Sequence, residues 1–158
     1  GKFDAIMAVP EWQSAAVEEG YGRAIYDIAD EKAWNRVFGG PIPVTVGYVL
    51  KETIEKSPDL VQGYVNANYR AQQWIRRAKD DEITDLLWKP YMDSFKREVV
   101  LESVRYYKTI FDWDFAIEEK DYERGMKVWV PLAVDKPIPY AKAVDMSFVK
   151  KAQAKLKS

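Results

Sequence analysis

Cysteine and histidine are both absent from the 158 residues of this chain. Their absence removes thiol nucleophiles, imidazole bases, Ser-His triads and nearly all zinc ligand sets together. It leaves the compartment open, because disulfide use reports on redox environment only where there are cysteines to pair. An excess of one charge is missing too. The 24 Lys and Arg nearly cancel the 25 Asp and Glu, so there is no concentrated positive field for a phosphate backbone, and nucleic acid is not an expected partner. Long apolar runs are also lacking: stretches such as Val128 to Val134 fall far short of the roughly 20 residues needed to cross a bilayer. No basic-then-apolar leader opens the chain, since Gly1-Lys2-Phe3-Asp4 passes at once into a strand-like run. The expectation is that the true start lies upstream.

What is present suits one ordinary globular domain. Hydrophobic residues make up 47% of the chain, with six Trp, ten Tyr and six Phe to fill a core, and the 31% charged residues suffice for a solvated surface. Phe3 to Val9 is a short apolar run ended by Pro10, which suits a buried parallel strand. Glu11 to Glu19 fits a short helix stopped by Gly20-Tyr21-Gly22, and Ala24 to Ala29 reads as a further strand. Gly39-Gly40-Pro41-Ile42-Pro43 is a loop by its turn formers, leading into a β-branched strand from Val44 to Leu50.

Ser57-Pro58-Asp59 is a helix start, with an N-cap residue, Pro at the first helical position and a negative charge beside the dipole. The helix that follows, Leu60 to Ala78, places Leu60, Val61, Tyr64, Val65, Ala67, Ala71, Trp74, Ile75 and Ala78 on one half of its wheel. Asn68 sits inside that apolar half, where its amide needs a partner. A second long helix is expected from Phe95 to Phe111, after a break at Pro90 and with Asp93 or Ser94 as its cap. Tyr122 to Ala133 is helically spaced, but Pro131 should end or kink it. Lys136 to Pro139 is an extended linker, and Asp145 or Ser147 can cap a final helix whose lysines favour the dipole at its end. Strands thus come first and helices later. Two or three strands cannot make a covered parallel sheet alone, so partners from outside these residues are expected.

Several local patterns, in their order, resemble the solute-binding proteins of ABC importers in the nitrate, sulfonate, taurine and thiamine-pyrimidine-precursor group. They are Phe3-Asp4-Ala5 leading to Pro10 and Gly20, Gly22 to Asp27, Ile42-Pro43-Val44, and Ser57-Pro58-Asp59 with Ala67, Arg70-Ala71 and Trp74-Ile75. Asp121 to Gly125 with Lys127-Val128-Trp129, and Val144 to Val149, complete the series. The resemblance implies an α/β fold of the type II periplasmic-binding-protein kind, with two lobes joined by crossover strands, of which this chain is the carboxy-terminal portion, helix-rich after residue 57. On that reading residues 1–42 end the second lobe and include the return crossover, and residues 43–158 form the carboxy-terminal part of the first lobe. The missing amino-terminal half would be a partner, as would an ABC permease and a small organic molecule. A periplasmic or lipid-anchored extracytoplasmic location is likewise implied.

The expected ligand site is the loop at the carboxyl end of the first strand, Met7 to Trp12, because open α/β sheets bind ligands there. Met7, Val9, Pro10, Glu11 and Trp12 are its candidates: Trp12 could stack on a planar or aliphatic group, and Glu11 could accept a hydrogen bond. The bland alternative is that Trp12 packs beneath its own helix while Glu11 favours that helix's amino end. Pro43, in the loop bordering a hinge, and Asn68, on an inner helix face, are weaker candidates. Asp112 and Asp114 lack calcium spacing and are expected in a solvated loop. No catalytic residue, metal or cofactor is expected. The function implied is non-catalytic capture. Two alternatives remain, an enzyme of thiamine-pyrimidine synthesis, disfavoured because that branch uses a histidine, and a ligand-sensing or interaction module.

Overall fold

A helix needs only its own backbone to satisfy its hydrogen bonds, whereas a strand needs a neighbour. The computed structural model describes residues 3–27, 30–133 and 136–157, and in them the helical half of the expectation is realised. The helices are α1 Pro10–Glu18, α2 Glu31–Phe38, α3 Lys51–Lys56, α4 Pro58–Arg77, α5 Asp80–Tyr91, α6 Arg97–Ile110, α7 Glu119–Ala133, α8 Tyr140–Ala143 and α9 Ser147–Lys157.

No strand occurs among the described residues. Residues 3–9, 24–27 and 44–50, expected as strands, run as irregular chain, and positions 28 and 29 of the second run lie outside the described residues. The physical reason is the absence of a ladder partner. The same segments keep their apolar side chains in solvent: Phe3, Ile6 and Met7 in the first, Ile25 in the second, and Val44, Tyr48 and Leu50 in the third are all exposed.

Contacts divide the chain into two units, one of Gly1–Asp30 with Ile75–Phe111, the other of Glu31–Trp74 with Asp112–Ser158. In the first, α5 and α6 pack on each other, and Ile83, Thr84, Val99, Val100, Ser103 and Val104 are all buried. The two buried hydroxyls cost little because each donates back to its own helix, Thr84 to the Asp80 carbonyl at 2.7 Å and Ser103 to the Val99 carbonyl at 2.9 Å. Arg97 of α6 binds Asp81 and Asp85 of α5 at 2.7 and 2.8 Å, and Lys108 reaches Asp80 at 2.9 Å. The acidic run Asp80-Asp81-Glu82 is therefore the start of α5, and its aspartates anchor the partner helix.

In the second unit Val61 and Tyr69 of α4 are buried together with Ile42, Phe148, Val149 and Ala152. Three glutamines hold successive carbonyls of the loop before α7: Gln72 bonds the carbonyl of Asp112 at 2.8 Å, Gln73 that of Trp113 at 2.6 Å, and Gln153 that of Asp114 at 2.7 Å. Asp112 caps the same loop, accepting from the backbone N–H of Asp114 and Ala116. This restraint holds Phe115 at φ 57°, a conformation that is strained for a bulky residue, against Tyr69.

The start of α6 and the places of two prolines differ from expectation. α6 begins after Lys96, with no side-chain cap, so neither Asp93 nor Ser94 caps it. Pro90 and Pro131 lie inside α5 and α7, but each within the last turn, where the carbonyl a proline leaves unpaired is close to the frayed end. The glycine–proline loop is pinned on both sides. Trp34 of α2 donates to the Gly40 carbonyl at 2.9 Å, and Arg124 of α7 donates to the Pro41 carbonyl and pairs with Asp121.

Candidate functional site

The chain approaches α1 in extended form, with Val9 at φ −74° and ψ 159°, and Pro10 then starts the helix at a position where its missing N–H costs nothing. Trp12 and Ala16, four residues apart, lie on one face of α1. Past the helix, Gly20 at φ 74° turns the chain back, so that the N–H groups of Tyr21 and Gly22 both donate to the Ala16 carbonyl, at 3.1 and 3.0 Å. The turn is tight. A Cβ on Gly22 would stand 3.0 Å from the Ala16 Cβ.

These constraints shape an open hollow of about 310 Å3 lined by Ile6, Met7, Ala8, Val9, Trp12, Ala16 and Tyr21. Its walls are mostly apolar. Trp12 is 56% exposed and makes a T-shaped pair with Phe95, with ring centroids 5.2 Å apart and an interplanar angle of 80°. Phe95 is itself fixed, since its carbonyl accepts the Trp88 indole N–H at 2.9 Å. An exposed indole held by a second aromatic ring suits contact with a flat or aliphatic group.

Met7, Val9 and Trp12 are therefore brought together as expected, with Pro10 beside them as the start of α1. Glu11 belongs to the first turn of α1. Burial raises the Tyr107 hydroxyl pKa, and the Glu11 charge raises it further. One Glu11 oxygen, Oε2, is buried with no hydrogen-bond partner among the described residues. Burial likewise raises Tyr106, with Asp27 adding to it.

Pro43 and Asn68 belong to the second unit. Pro43 is half-buried against Gly125, where a Cβ would meet its Cδ at 3.4 Å, so its role there is packing. The Asn68 side chain donates to the Tyr64 carbonyl of its own helix at 2.9 Å. That bond answers the amide nitrogen's need for a partner. Ala8 lies within the expected loop, whereas Ile6, Ala16 and Tyr21 were not singled out from the sequence. The spacing from Trp12 to Ala16 and the Gly20-Tyr21-Gly22 return were the available signals.

Among the described residues no group of three Asp or Glu is arranged to hold a metal ion, and no helix is long and apolar enough to cross a membrane. The hollow offers shape and stacking but no convergent acid and base. No family model matches the chain, and no solved structure matches it. The chain is similar to the provisionally named binding protein YtlA of Bacillus subtilis (strain 168), at 24% identity over 137 residues, a match that spans 85% of this chain but only 39% of that relative.

Proposed function

We propose that this chain is the carboxy-terminal portion of a two-lobed α/β solute-binding protein that captures a small organic molecule outside the cytoplasm and passes it to an ABC permease. Residues 1–42 would close the second lobe and return to the first, and residues 43–158 would complete the first. The observation that carries this reading is an apolar face in the second unit that stays exposed among the described residues. Leu60, Tyr64, Ala67, Ala71 and Trp74 follow one another along α4 at helical spacing, and all are exposed. Beside them runs the strand-like segment 44–50, brought against α4 where Gly47 meets the Tyr64 ring, with Val44, Val46, Tyr48, Val49 and Leu50 also exposed. A continuous apolar surface of this kind marks an interface in a soluble protein. A helix face beside an unpaired strand is the surface a larger sheet would cover.

The similarity to a binding protein more than twice as long supports the same reading, as does the open aromatic hollow at the start of α1. The test uses the full-length gene product. Its melting temperature is measured against a wide panel of small molecules, including nitrate, alkanesulfonates, taurine, aromatic acids and pyrimidines. A saturable rise with one class is expected, through preferential binding to the folded state, and Trp12→Ala should abolish the rise. Absence of any response across the panel would remove the proposal.

A further inference from the structure

The α4 and α9 helices of the second unit frame a separate hollow of about 200 Å3, lined by Asn66, Arg70, Ala152, Lys155 and Leu156. Its hydrogen-bonding character follows from a backbone group outside it. The Gln62 Nε2 donates to the Phe148 carbonyl of α9 and to Asn66 Oδ1, both at 2.9 Å. A carbonyl only accepts, so the Gln62 amide is fixed with its nitrogen toward Phe148, and that nitrogen engages Asn66 by its oxygen. Asn66 is left presenting its NH2 group, which has no acceptor among the described residues.

Arg70 stands one turn beyond Asn66 on the same face of α4 and has no carboxylate partner among the described residues. It lies well before the last turn of α4, so the helix dipole gives it no role. The lysines of α9 do favour that helix's carboxyl end, but this explains neither Arg70 nor the orientation of Asn66. Neither helix supplies a countercharge here: α9 contains no acidic residue, and the one acid of α4 is Asp59 in its first turn. Ala152 and Leu156 give the hollow an apolar wall.

From this juxtaposition we infer that the hollow between α4 and α9 binds a small organic anion, its carboxylate held by the Asn66 amide nitrogen and the Arg70 guanidinium, its short aliphatic body against Leu156. Lys155 adds positive charge at the rim. The site is distinct from the Trp12 hollow and does not depend on what that hollow binds.

The experiment is a 15N NMR titration of the 158-residue chain with sodium butanoate, set against sodium chloride at equal ionic strength and against the neutral isostere butanamide. Saturable shifts of the Asn66 side-chain NH2 and the Arg70 Nε–H are expected with butanoate alone. Acetate, which lacks the chain that meets Leu156, should bind several-fold more weakly. Arg70→Gln and Asn66→Asp should each lower affinity at least tenfold with an unchanged circular-dichroism spectrum, whereas Trp12→Ala should leave it unaltered. Shifts that never saturate, an equal response to butanamide, or full affinity in Arg70→Gln would each overturn the inference.

Discussion

A methyl group at Gly40 has nowhere to go. The residue is buried at φ 140°, a conformation open essentially to glycine, and an added Cβ would stand 2.8 Å from Arg124 Cζ. Arg124 cannot simply swing aside, because it donates to the Pro41 carbonyl and pairs with Asp121. Gly40→Ala should therefore destabilise the chain by about 1–3 kcal/mol from backbone strain alone, with a further loss from the displaced arginine. Denaturant unfolding of the single variant and of its double with Arg124→Ala separates the two parts, since only the strain survives in the double. Equal stability of Gly40→Ala and the parent would contradict this account. The loop itself was legible, because two glycines and two prolines in five residues demand a turn. The arginine that pins it was not, since nothing local connects Pro41 to a residue 83 positions away. The same limit explains the asparagines. Asn68 stood out on the helical wheel, yet it bonds its own backbone, while Asn66 acquires its character from Phe148, 86 residues beyond Gln62.

Among the elements, those with strong local grammar were readable. The Ser57-Pro58-Asp59 start of α4 is seen in the N–H groups of Leu60 and Val61, which donate to the Ser57 carbonyl at 3.1 and 3.3 Å. α2, α3, α5 and α8 were missed; α2, α3 and α8 are short, with eight, six and four residues, while α5 carries Ile83, Leu86, Leu87 and Trp88 at helical spacing, a signal the sequence did contain. The start of α9 was read as Asp145 or Ser147, and the structure assigns the capping oxygen to Asp145, which accepts from the Ser147 N–H at 2.9 Å. Hydrogen bonds from the Ser147 side chain and backbone hold the Asp145 pKa below its ordinary value of 3.8. A carboxylate with a depressed folded-state pKa contributes stability that is present above its unfolded value and lost as pH falls through the folded one. The stability difference between the parent and Asp145→Asn should thus be constant above about pH 5 and shrink below about pH 4. Unfolding curves across that range check it, the other carboxylates cancelling in the difference. A difference independent of pH would show that the charge contributes nothing to the cap.

At the scale of the whole molecule, the strand-like segments and the apolar stripe of α4 make the same demand. Residues 44–50 have the β-branched composition of a strand but no ladder, and Leu60 is 68% and Tyr64 55% exposed beside them. Sequence periodicity shows that a face is apolar but never what covers it, which is why the stripe was legible and its vacancy was not. The paired substitution Leu60→Gln and Tyr64→Gln turns this into a measurement. In the 158-residue chain both side chains already face water, so thermal stability should change by less than about 0.5 kcal/mol, while binding of a hydrophobic dye should fall. In the full-length protein the proposed lobe would bury both, and loss of a buried leucine alone typically costs on the order of 2–5 kcal/mol. The same two changes should therefore be nearly silent in one context and severe in the other. If they are equally harmless in both, the α4 face is ordinary surface, and the larger fold proposed for this chain loses its main support.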